Sequence, residues 1–334
     1  MAYSLDRITK KHLALLNVCL IVTVGALIFY AHSVQGEDAV KVSRDSSSQY
    51  KFTSPILDCE NVEMQQSSII TKSIESKVND LGSKYGLDFF SVYYRDLYDG
   101  QWIGVNENEL FASASLVKIP ILMSLYKEAE SRPAIFNKKV TVLPSDVSTD
   151  LTQTIVPDRE VATGVTYSMR DLAERMIEDS DNTATNALLR SLDTSYRPGI
   201  YESIGIDFKE SDDELMISVK DYGGFFRVLF NASYLNRQSS EDALKLLSQT
   251  KFDKGLVAGV PSGVTVAHKF GERSIYWNGL LSSRQLHDCG IVYYPGKPYI
   301  MCVMTRGADF TKEEGFIQDV SKLFYQEVDG QDVL

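Results

Sequence analysis

Cysteine and histidine are scarce in this sequence of 334 residues, which has four of each. Four cysteines are too few for the disulfide framework that stabilises small secreted domains. His12 and His32 flank an apolar segment, so only His268 and His287 are left for the rest of the chain. This scarcity limits metal sites and leaves little material for a Ser-His-Asp triad.

Several familiar motifs are also missing, because the chain has no G-x-S-x-G elbow, H-E-x-x-H pair, Walker loop or paired C-x-x-C. The net charge is -11, from 45 acidic and 34 basic residues. An acidic surface repels phosphate backbones, so we expect no nucleic-acid partner. Hydrophobic residues make up 44% and charged residues 24%, and these ordinary globular values exclude wholesale disorder, collagen and coiled coil.

The N-terminal region has the pattern of a membrane anchor. Residues 12–36 contain no Asp, Glu, Lys or Arg, and residues 13–31 are almost wholly apolar. That length is close to the ~20 residues that span the hydrocarbon core of a bilayer. Three basic residues precede this run and two acidic residues follow it. Because positive flanks stay in the cytoplasm, we expect a single pass with the C-terminal bulk outside.

These expectations define the N-terminal boundaries: a cytoplasmic tail over residues 1–11, a transmembrane anchor over 12–34, and a flexible stalk over 35–66. The stalk is rich in Ser, Gln and acidic residues and has little periodicity. The alternative is a signal peptide cleaved near Ala31-His32-Ser33, which would release a secreted protein. The apolar run exceeds the usual 7–15 residues of such peptides, so we favour the anchor.

From residue 67 onward the apolar pattern predicts an α+β domain over 67–328, with a short tail over 329–334. Two strands come first, at 89–94 and 101–105. Helices occupy the middle of the domain, at 115–131, 166–190 and 219–230. Three strands and a helix follow, at 264–270, 289–294, 299–305 and 312–328. We expect one antiparallel sheet built from both chain ends, helices on its faces, a central all-helical lobe, and a cleft between lobe and sheet.

The cysteines are interpreted as buried free thiols. If Tyr294 pairs with Tyr299, Cys289 and Cys302 are diagonal neighbours across the two strands, marginally too distant for an easy disulfide. Cys59 in the predicted stalk offers an alternative partner, because the outer compartment can be oxidising.

A serine and a lysine three residues apart provide the first candidate for chemistry. Ser115 and Lys118 lie on one face of the predicted helix, where a desolvated lysine can act as a base towards the hydroxyl. The helix N-terminus there favours developing negative charge. The motif alone is weak, because three other pairs match S-x-x-K, namely Ser48/Lys51, Ser124/Lys127 and Ser248/Lys251.

Two later segments strengthen this candidate. Ser180-Asp181-Asn182 precedes a predicted helix, where a loop serine can relay a proton and an amide can bind substrate. Its structural alternative is a helix N-cap. Lys269 and Gly271 lie on a predicted strand, where the lysine can attract a substrate carboxylate and the glycine permits close approach. Their structural alternative is an edge strand protected by an exposed lysine.

These three elements, in this order, resemble the motifs of class A β-lactamases and penicillin-binding proteins. The resemblance rests on residues 111–120, 177–189 and 290–307, and it covers about residues 67–328. It implies a β-lactamase-like serine hydrolase that needs no metal or organic cofactor. The substrate would be a β-lactam or a peptidoglycan stem peptide, and the ectodomain a monomer.

The resemblance also implies a role for each residue. Ser115 would be the acylated nucleophile, Lys118 its base or proton relay, and Ser180 the group that passes a proton to the leaving nitrogen. Asn182 would bind the substrate amide, and Lys269 would hold its carboxylate. The backbone N–H groups of Ser115 and Glu272 would form the oxyanion hole, where the loss of one donor typically costs ~2.7–4 kcal/mol.

Two departures from the family pattern affect the expected activity. Phe270 stands where the family has Thr or Ser after the lysine, so a hydroxyl that binds the carboxylate is missing. The family's water-activating glutamate loop is matched only by the run 212–216, in which Asp212 is the candidate base, with Glu210 and Glu214 as alternatives. A shorter side chain misplaces a water easily, so acylation can proceed while deacylation stalls.

Three functions therefore remain open. The leading one is a membrane-tethered β-lactamase that acts through a Ser115 acyl-enzyme. A D-alanyl-D-alanine carboxypeptidase-like enzyme is the close rival, because it shares the acylation machinery. A catalytically weak domain that binds penicillin or peptidoglycan is the third, favoured by Phe270 and the reduced loop.

Overall fold

The computed structural model describes residues 43–44, 50–58, 68–148, 154–206 and 215–331. Its strands are β1 (Ser43–Arg44), β2 (Ile56–Asp58), β3 (Phe89–Asp96), β4 (Trp102–Val105), β5 (Phe111–Ala112), β6 (Lys139–Thr141), β7 (Thr166–Ser168), β8 (Met216–Ile217), β9 (Val266–Trp277), β10 (Leu280–Val292) and β11 (Tyr299–Arg306). The main sheet is antiparallel with the order β4-β3-β11-β10-β9, so strands from both chain ends combine as predicted. Strand β9 lies at one edge of this sheet.

The helices are α1 (Ser68–Tyr85), α2 (Lys118–Ser131), α3 (Met169–Glu178), α4 (Asn182–Leu189), α5 (Arg197–Glu202), α6 (Val219–Phe230), α7 (Arg237–Leu247) and α8 (Phe310–Gln331). Alternation along β3 separates two apolar clusters, because successive strand residues point to opposite faces. Val92 packs in the cluster that contains residues of α1 and α8, and Tyr93 in the cluster formed with the helical lobe. The predicted layers, with helices on both faces of the sheet, are therefore confirmed.

Strands β9 and β10 are much longer than the predicted strands at 264–270 and 289–294. They continue to a two-residue turn at Asn278 and Gly279, whose φ angles are +52° and +77°. An Asn-Gly pair suits a turn that needs positive φ at both positions, and it joins the strands in a long hairpin.

The interpretation of Cys289 and Cys302 as free thiols is wrong, because the two residues form a disulfide. Strand β11 begins opposite Val292 instead of Tyr294, so Cys289 and Cys302 lie directly opposite each other. The predicted register differs from the observed one by two residues, so two cysteines that face each other were predicted to be diagonal neighbours. Cys59 lies outside the described residues.

Part of the predicted stalk packs against the domain. Strands β1 and β2 pair antiparallel, and Phe52 is buried. A carboxylate oxygen of Glu241 accepts hydrogen bonds from the backbone N–H groups of Lys51 (2.6 Å) and Phe52 (2.8 Å). The predicted anchor, residues 12–34, lies outside the described residues. Within the described ranges, none of the helices is long and apolar enough to cross a membrane.

Candidate active site

The nucleophile segment begins with a strained turn. Ser115 lies in a 3-10 helix (Ala114–Val117) that leads directly into α2. Ala114 has φ +45°, a left-handed conformation that costs a residue with a Cβ of order 1–3 kcal/mol. The Tyr222 hydroxyl donates a buried hydrogen bond of 2.9 Å to the Leu116 carbonyl, which holds this helix in place. The sequence places Ser115 one turn before α2, so its hydroxyl faces the cleft from a fixed backbone.

Two local features shape the start of this segment. Ser113 makes no side-chain cap, and its carbonyl instead accepts a hydrogen bond from the Leu116 N–H (2.9 Å). Pro120 falls in the first turn of α2, where its missing N–H would lack a helical partner anyway. Pro120 is therefore compatible with the junction between the 3-10 helix and α2.

Lys118 links the first and second motifs. Its Nζ lies 2.9 Å from Ser115 Oγ, 3.0 Å from Ser180 Oγ and 2.6 Å from Asn182 Oδ1, and it also bonds the Ser180 carbonyl at 2.7 Å. The side chain is buried, so an ammonium at this position needs all of these oxygens to replace its hydration. The structure thus brings together three of the predicted residues around one nitrogen.

The loop between α3 and α4 presents Ser180 to this nitrogen. Ser180 has φ +55°, and the residues on either side of it hold this conformation. Asp181 caps α4 by accepting from the Ala184 N–H at 2.9 Å. The buried Asp179 carboxylate binds Arg159 (2.7 Å) and Lys251 (2.5 Å). Two anchored carboxylates therefore fix the serine between them.

Lys269 approaches Ser180 from the sheet. Its Nζ lies 3.0 Å from Ser180 Oγ and 2.7 Å from the Phe270 carbonyl, and the side chain is fully buried. The structural alternative of an exposed edge lysine is therefore wrong. Burial, and then the nearby Lys118 ammonium, lower the pKa of Lys269 well below its ordinary value. Two lysines that share one hydroxyl repel each other when both are charged, so the site favours one neutral amine.

Gly271 packs against the nucleophile segment. A Cβ at this position would lie 3.2 Å from the Ser113 carbonyl oxygen and 3.3 Å from the Leu116 nitrogen. The glycine therefore lets the nucleophile segment approach β9. Strand β9 is at the edge of the sheet, so one side of its backbone has no partner strand among the described residues. On that side the backbone of Glu272 lies beside the nucleophile segment, where an oxyanion donor is needed.

The side chain of Glu272 forms a contact that the sequence did not predict. Its Oε1 accepts hydrogen bonds from the backbone N–H groups of Thr154 (2.8 Å) and Ile155. The carboxylate is mostly buried, and this burial raises its pKa. Glu272 thereby ties a connecting segment of the helical lobe to the edge of the sheet.

Phe270 does not line the cleft that contains Ser115. Its ring is buried and stacks on Phe252 with a centroid distance of 4.4 Å, in the cluster shared with α8. The Lys269 Nζ lies 4.0 Å from the Phe270 ring centroid, so the aromatic face contributes to holding this lysine. A hydroxyl of the family type is absent, and an aromatic ring supports the lysine in its place.

The cleft has a volume of about 460 Å³ and is lined by four of the predicted residues, Ser115, Lys118, Asn182 and Glu272. Sequence reasoning missed five polar residues that line it: Ser148, Thr185, Asn186, Arg197 and Arg273. Only Arg273 had a signal, since it follows the third motif. Three cationic side chains and one carboxylate line the cleft, which favours an anionic substrate.

Asp212, Glu210 and Glu214 lie outside the described residues. The chain that directly follows them is fixed beside the nucleophile segment, because β8 pairs with β5 and the Leu215 carbonyl accepts from the Ser113 N–H at 2.8 Å. Of the described residues that line the cleft, only Glu272 carries a carboxylate. The described ranges also contain no group of three or more His, Cys, Asp and Glu side chains that could hold a metal ion.

Comparison with protein families gives a match over residues 73–328 to the model of the β-lactamase enzyme family. Among curated proteins, β-lactamase VEB-1 of Pseudomonas aeruginosa is 22% identical over 284 residues, which cover 77% of this chain and 90% of that protein.

Solved structures share the fold at similarly low identity. PBP-A gives a TM-score of 0.67 at 22% identity, covering 81% of this chain and all of PBP-A. A PBP-A variant in an acyl-enzyme complex with penicillin G gives 0.65 at 23% identity, covering 78% and 97%. A class A β-lactamase from Mycobacterium abscessus gives 0.64 at 21% identity, covering 77% and 99%.

His287 supports the nucleophile strand from behind. Its Nε2 lies 3.1 Å from the Ala112 carbonyl oxygen, and its Nδ1 accepts from the Thr305 N–H at 3.4 Å. This pattern requires a neutral ring with the proton on Nε2. Burial lowers the pKa of His287 to about 4, so the neutral form persists in the folded state at neutral pH.

We predict that His287 destabilises the protein in acid. Its folded-state pKa lies below the unfolded value of 6.5, so its stability contribution is complete above pH 6.5 and is lost as the pH falls towards 4. The loss across that window should be about 3 kcal/mol. Urea unfolding of wild type and His287→Gln at several pH values measures it, and the two curves should converge in acid.

The comparison with the His287→Gln variant is needed because Glu313 changes the stability of the protein with pH in the opposite direction. Burial raises the pKa of Glu313 to about 7, so its contribution is lost as the pH rises from 4.5 through 7. Both proteins retain Glu313, and the difference between them isolates His287. A difference that does not change between pH 7 and pH 4 contradicts the neutral-ring assignment.

Proposed function

Because the chain belongs to the β-lactamase enzyme family, we propose that it opens β-lactams or related amide bonds through an acyl-enzyme on Ser115. One observation carries the proposal. The Ser115 hydroxyl, the Lys118 and Lys269 amines and the Ser180 hydroxyl form a continuous chain with separations of 2.9–3.0 Å. Such a chain activates a nucleophile and can return its proton to a leaving group.

The proton route follows from these contacts. Ser115 Oγ attacks the substrate carbonyl carbon while its proton passes to Lys118, which must be neutral at that moment. Lys118 can reach that state by giving a proton through Ser180 to Lys269, whose lowered pKa makes it the neutral member of the pair in the resting site. The proton then returns through Ser180 to the leaving nitrogen as the amide C–N bond breaks, and the carbonyl carbon stays bonded to Ser115.

The rest of the cleft orients the substrate. A negative charge on the substrate is attracted by Arg197 and Arg273, and it favours the charged form of the buried Lys269. The Asn182 side chain binds the substrate amide, and the N–H groups of Ser115 and Glu272 stabilise the tetrahedral oxyanion. A substrate carboxylate is common to β-lactams and to stem-peptide termini, so this electrostatic pattern accepts both.

Deacylation is the slow step in this proposal. Oε1 of Glu272, the carboxylate that lines the described part of the cleft, is committed to Thr154 and Ile155. Asp212 would then have to activate the water, with a side chain one methylene shorter than glutamate. Slow deacylation and the absence of a hydroxyl at Phe270 favour a second candidate, a carboxypeptidase-like or penicillin-binding protein that acylates readily and turns over poorly.

We also propose that the chain is tethered to a membrane, with its catalytic domain on the extracytoplasmic side. The charge-free apolar run over residues 12–34 and the basic residues before it support this orientation. The Cys289–Cys302 disulfide supports an oxidising compartment for the catalytic domain.

The first prediction concerns the nucleophile. Ser115→Ala should abolish covalent labelling by fluorescent penicillin, and Lys118→Ala should slow it about 10²–10⁴-fold, the range of general acid–base catalysis. Gel fluorescence and intact-protein mass after incubation with benzylpenicillin measure this.

Ser124 provides a matched control because it also begins an S-x-x-K sequence in α2. Its hydroxyl donates to the Pro120 carbonyl at 3.0 Å, and Lys127 pairs with Glu130 at 2.9 Å. Ser124→Ala should therefore label as wild type does. Labelling that persists in Ser115→Ala, or is lost only in Ser124→Ala, would assign the nucleophile elsewhere.

The second prediction concerns turnover. Asp212→Glu should speed the decay of the benzylpenicillin adduct, because a longer side chain brings the carboxylate nearer the ester, while Asp212→Asn should slow it about 10²-fold or more. Acylation rates should stay near the wild-type value in both variants. Mass spectrometry of the adduct over time separates the two steps, and equal decay in all three proteins rules out Asp212 as the base.

The third prediction concerns location. Expressed with its N-terminus intact, the chain should stay in the membrane pellet after alkaline carbonate extraction, and its mass should include residues 1–34. An externally added protease should digest the catalytic domain in intact cells stripped of their wall. A soluble product that begins near residue 32 would establish the cleaved signal peptide instead.

A further inference from the structure

The β9–β10 hairpin extends well beyond the sheet. Strand β11 pairs with β10 over His287–Val292, and one further bridge joins Arg284 to Gly307. Beyond that bridge, the hairpin residues pair with each other up to the turn at Asn278 and Gly279. At ~3.3 Å per residue, the four residues from Ser274 to Trp277 project by about 13 Å.

The tip of this hairpin is apolar on both faces. Tyr276, Trp277, Leu280 and Leu281 are 52%, 74%, 75% and 40% exposed. Trp277 pairs with Leu280 and Tyr276 with Leu281. Because successive strand residues point to opposite sides, each face of the tip carries one aromatic and one aliphatic side chain.

The tip of the hairpin carries no charged residue, and the charged residues nearest to it in sequence are arginines. Residues 274–283 contain no Asp, Glu, Lys or Arg, although the chain as a whole has 45 acidic residues. The first charged residues reached along the two strands are Arg273 and Arg284. Arg273 lines the cleft, and the Arg284 guanidinium lies over the Phe310 ring at 4.7 Å. An apolar end with this positive charge behind it suits a bilayer surface, in which hydrocarbon lies beneath phosphates.

We propose that the hairpin tip formed by Tyr276, Trp277, Leu280 and Leu281 inserts into the interfacial region of a phospholipid bilayer. A flat protein surface would cover only one face of the tip. A lipid phase surrounds the tip and covers both faces at once. Trp and Tyr suit this depth because their rings are apolar and their N–H and O–H groups reach the headgroups.

Insertion has a consequence for the active site. Arg273 lines the cleft and lies four residues from Trp277, about 13 Å along the strand. The docked domain therefore works with its cleft close to the membrane surface. This inference does not depend on the serine chemistry, and penicillin labelling of Ser115 can succeed or fail independently of it.

The experiment uses the two tryptophans of the chain. Trp102→Phe leaves Trp277 as the single tryptophan in the full-length protein, which is combined with vesicles of phosphatidylcholine and phosphatidylglycerol. Trp277 emission should shift to shorter wavelength, and lipids brominated near the headgroup end of their acyl chains should quench it. The double substitution Leu280→Asp and Leu281→Asp should weaken insertion at least about tenfold, since the burial of both leucines in lipid is lost.

A matched control places the tryptophan at the other end of the sheet. Tyr98, 52% exposed, lies in the turn between β3 and β4, and β10 runs parallel to β3 through β11, so this turn is remote from the hairpin tip. In the protein with Trp102→Phe, Trp277→Phe and Tyr98→Trp, brominated lipid should leave the emission unchanged. Thermal unfolding checks that the leucine variant is folded. A Trp277 that is unquenched, or quenched no more than Trp at position 98, overturns the proposal.

Discussion

The site depends on two lysine side chains buried around one serine hydroxyl. Removing an ammonium from water is costly unless oxygens replace its hydration, and two such groups near one another also repel. The structure meets the first requirement for Lys118 with oxygens from Ser115, Ser180 and Asn182. The repulsion between the two lysines is reduced because burial and the nearby Lys118 lower the pKa of Lys269, so that one amine is available as a base.

This arrangement explains why the surrounding backbone is held so firmly. Ala114 and Ser180 both adopt positive φ, and each lies in a motif that must present a side chain to the same nitrogen. Contacts of neighbouring residues hold both strained conformations in place. Tyr222 holds the segment that contains Ala114, and the anchored carboxylates of Asp179 and Asp181 hold Ser180. Packing of the nucleophile segment against Gly271 then brings the edge of the sheet to the same place.

Sequence reasoning found the groups that are proposed to react but not the residues that support them. Ser115, Lys118, Ser180 and Lys269 are recognisable because chemistry restricts their residue types, and the α+β layering follows from apolar periodicity. The Cys289–Cys302 disulfide was missed because a turn length sets strand register, and the turn was misjudged by two residues. The ring direction of Phe270 and the tie from Glu272 to Thr154 depend on tertiary contacts that local pattern does not encode.

Acylation and deacylation make different demands on such a fold. The groups proposed to acylate stand on the 3-10 helix Ala114–Val117, α2, β9 and a braced loop, and their mutual contacts fix their positions. A deacylating carboxylate must instead hold one water at the ester, where an error of 1 Å can cost about 100-fold in rate. The anchored elements can therefore retain full acylation while a single shortened side chain removes turnover. In the proposed mechanism, the choice between hydrolysing a β-lactam and being trapped by one depends on the water-activating carboxylate, for which Asp212 is the candidate, and not on the buried lysines.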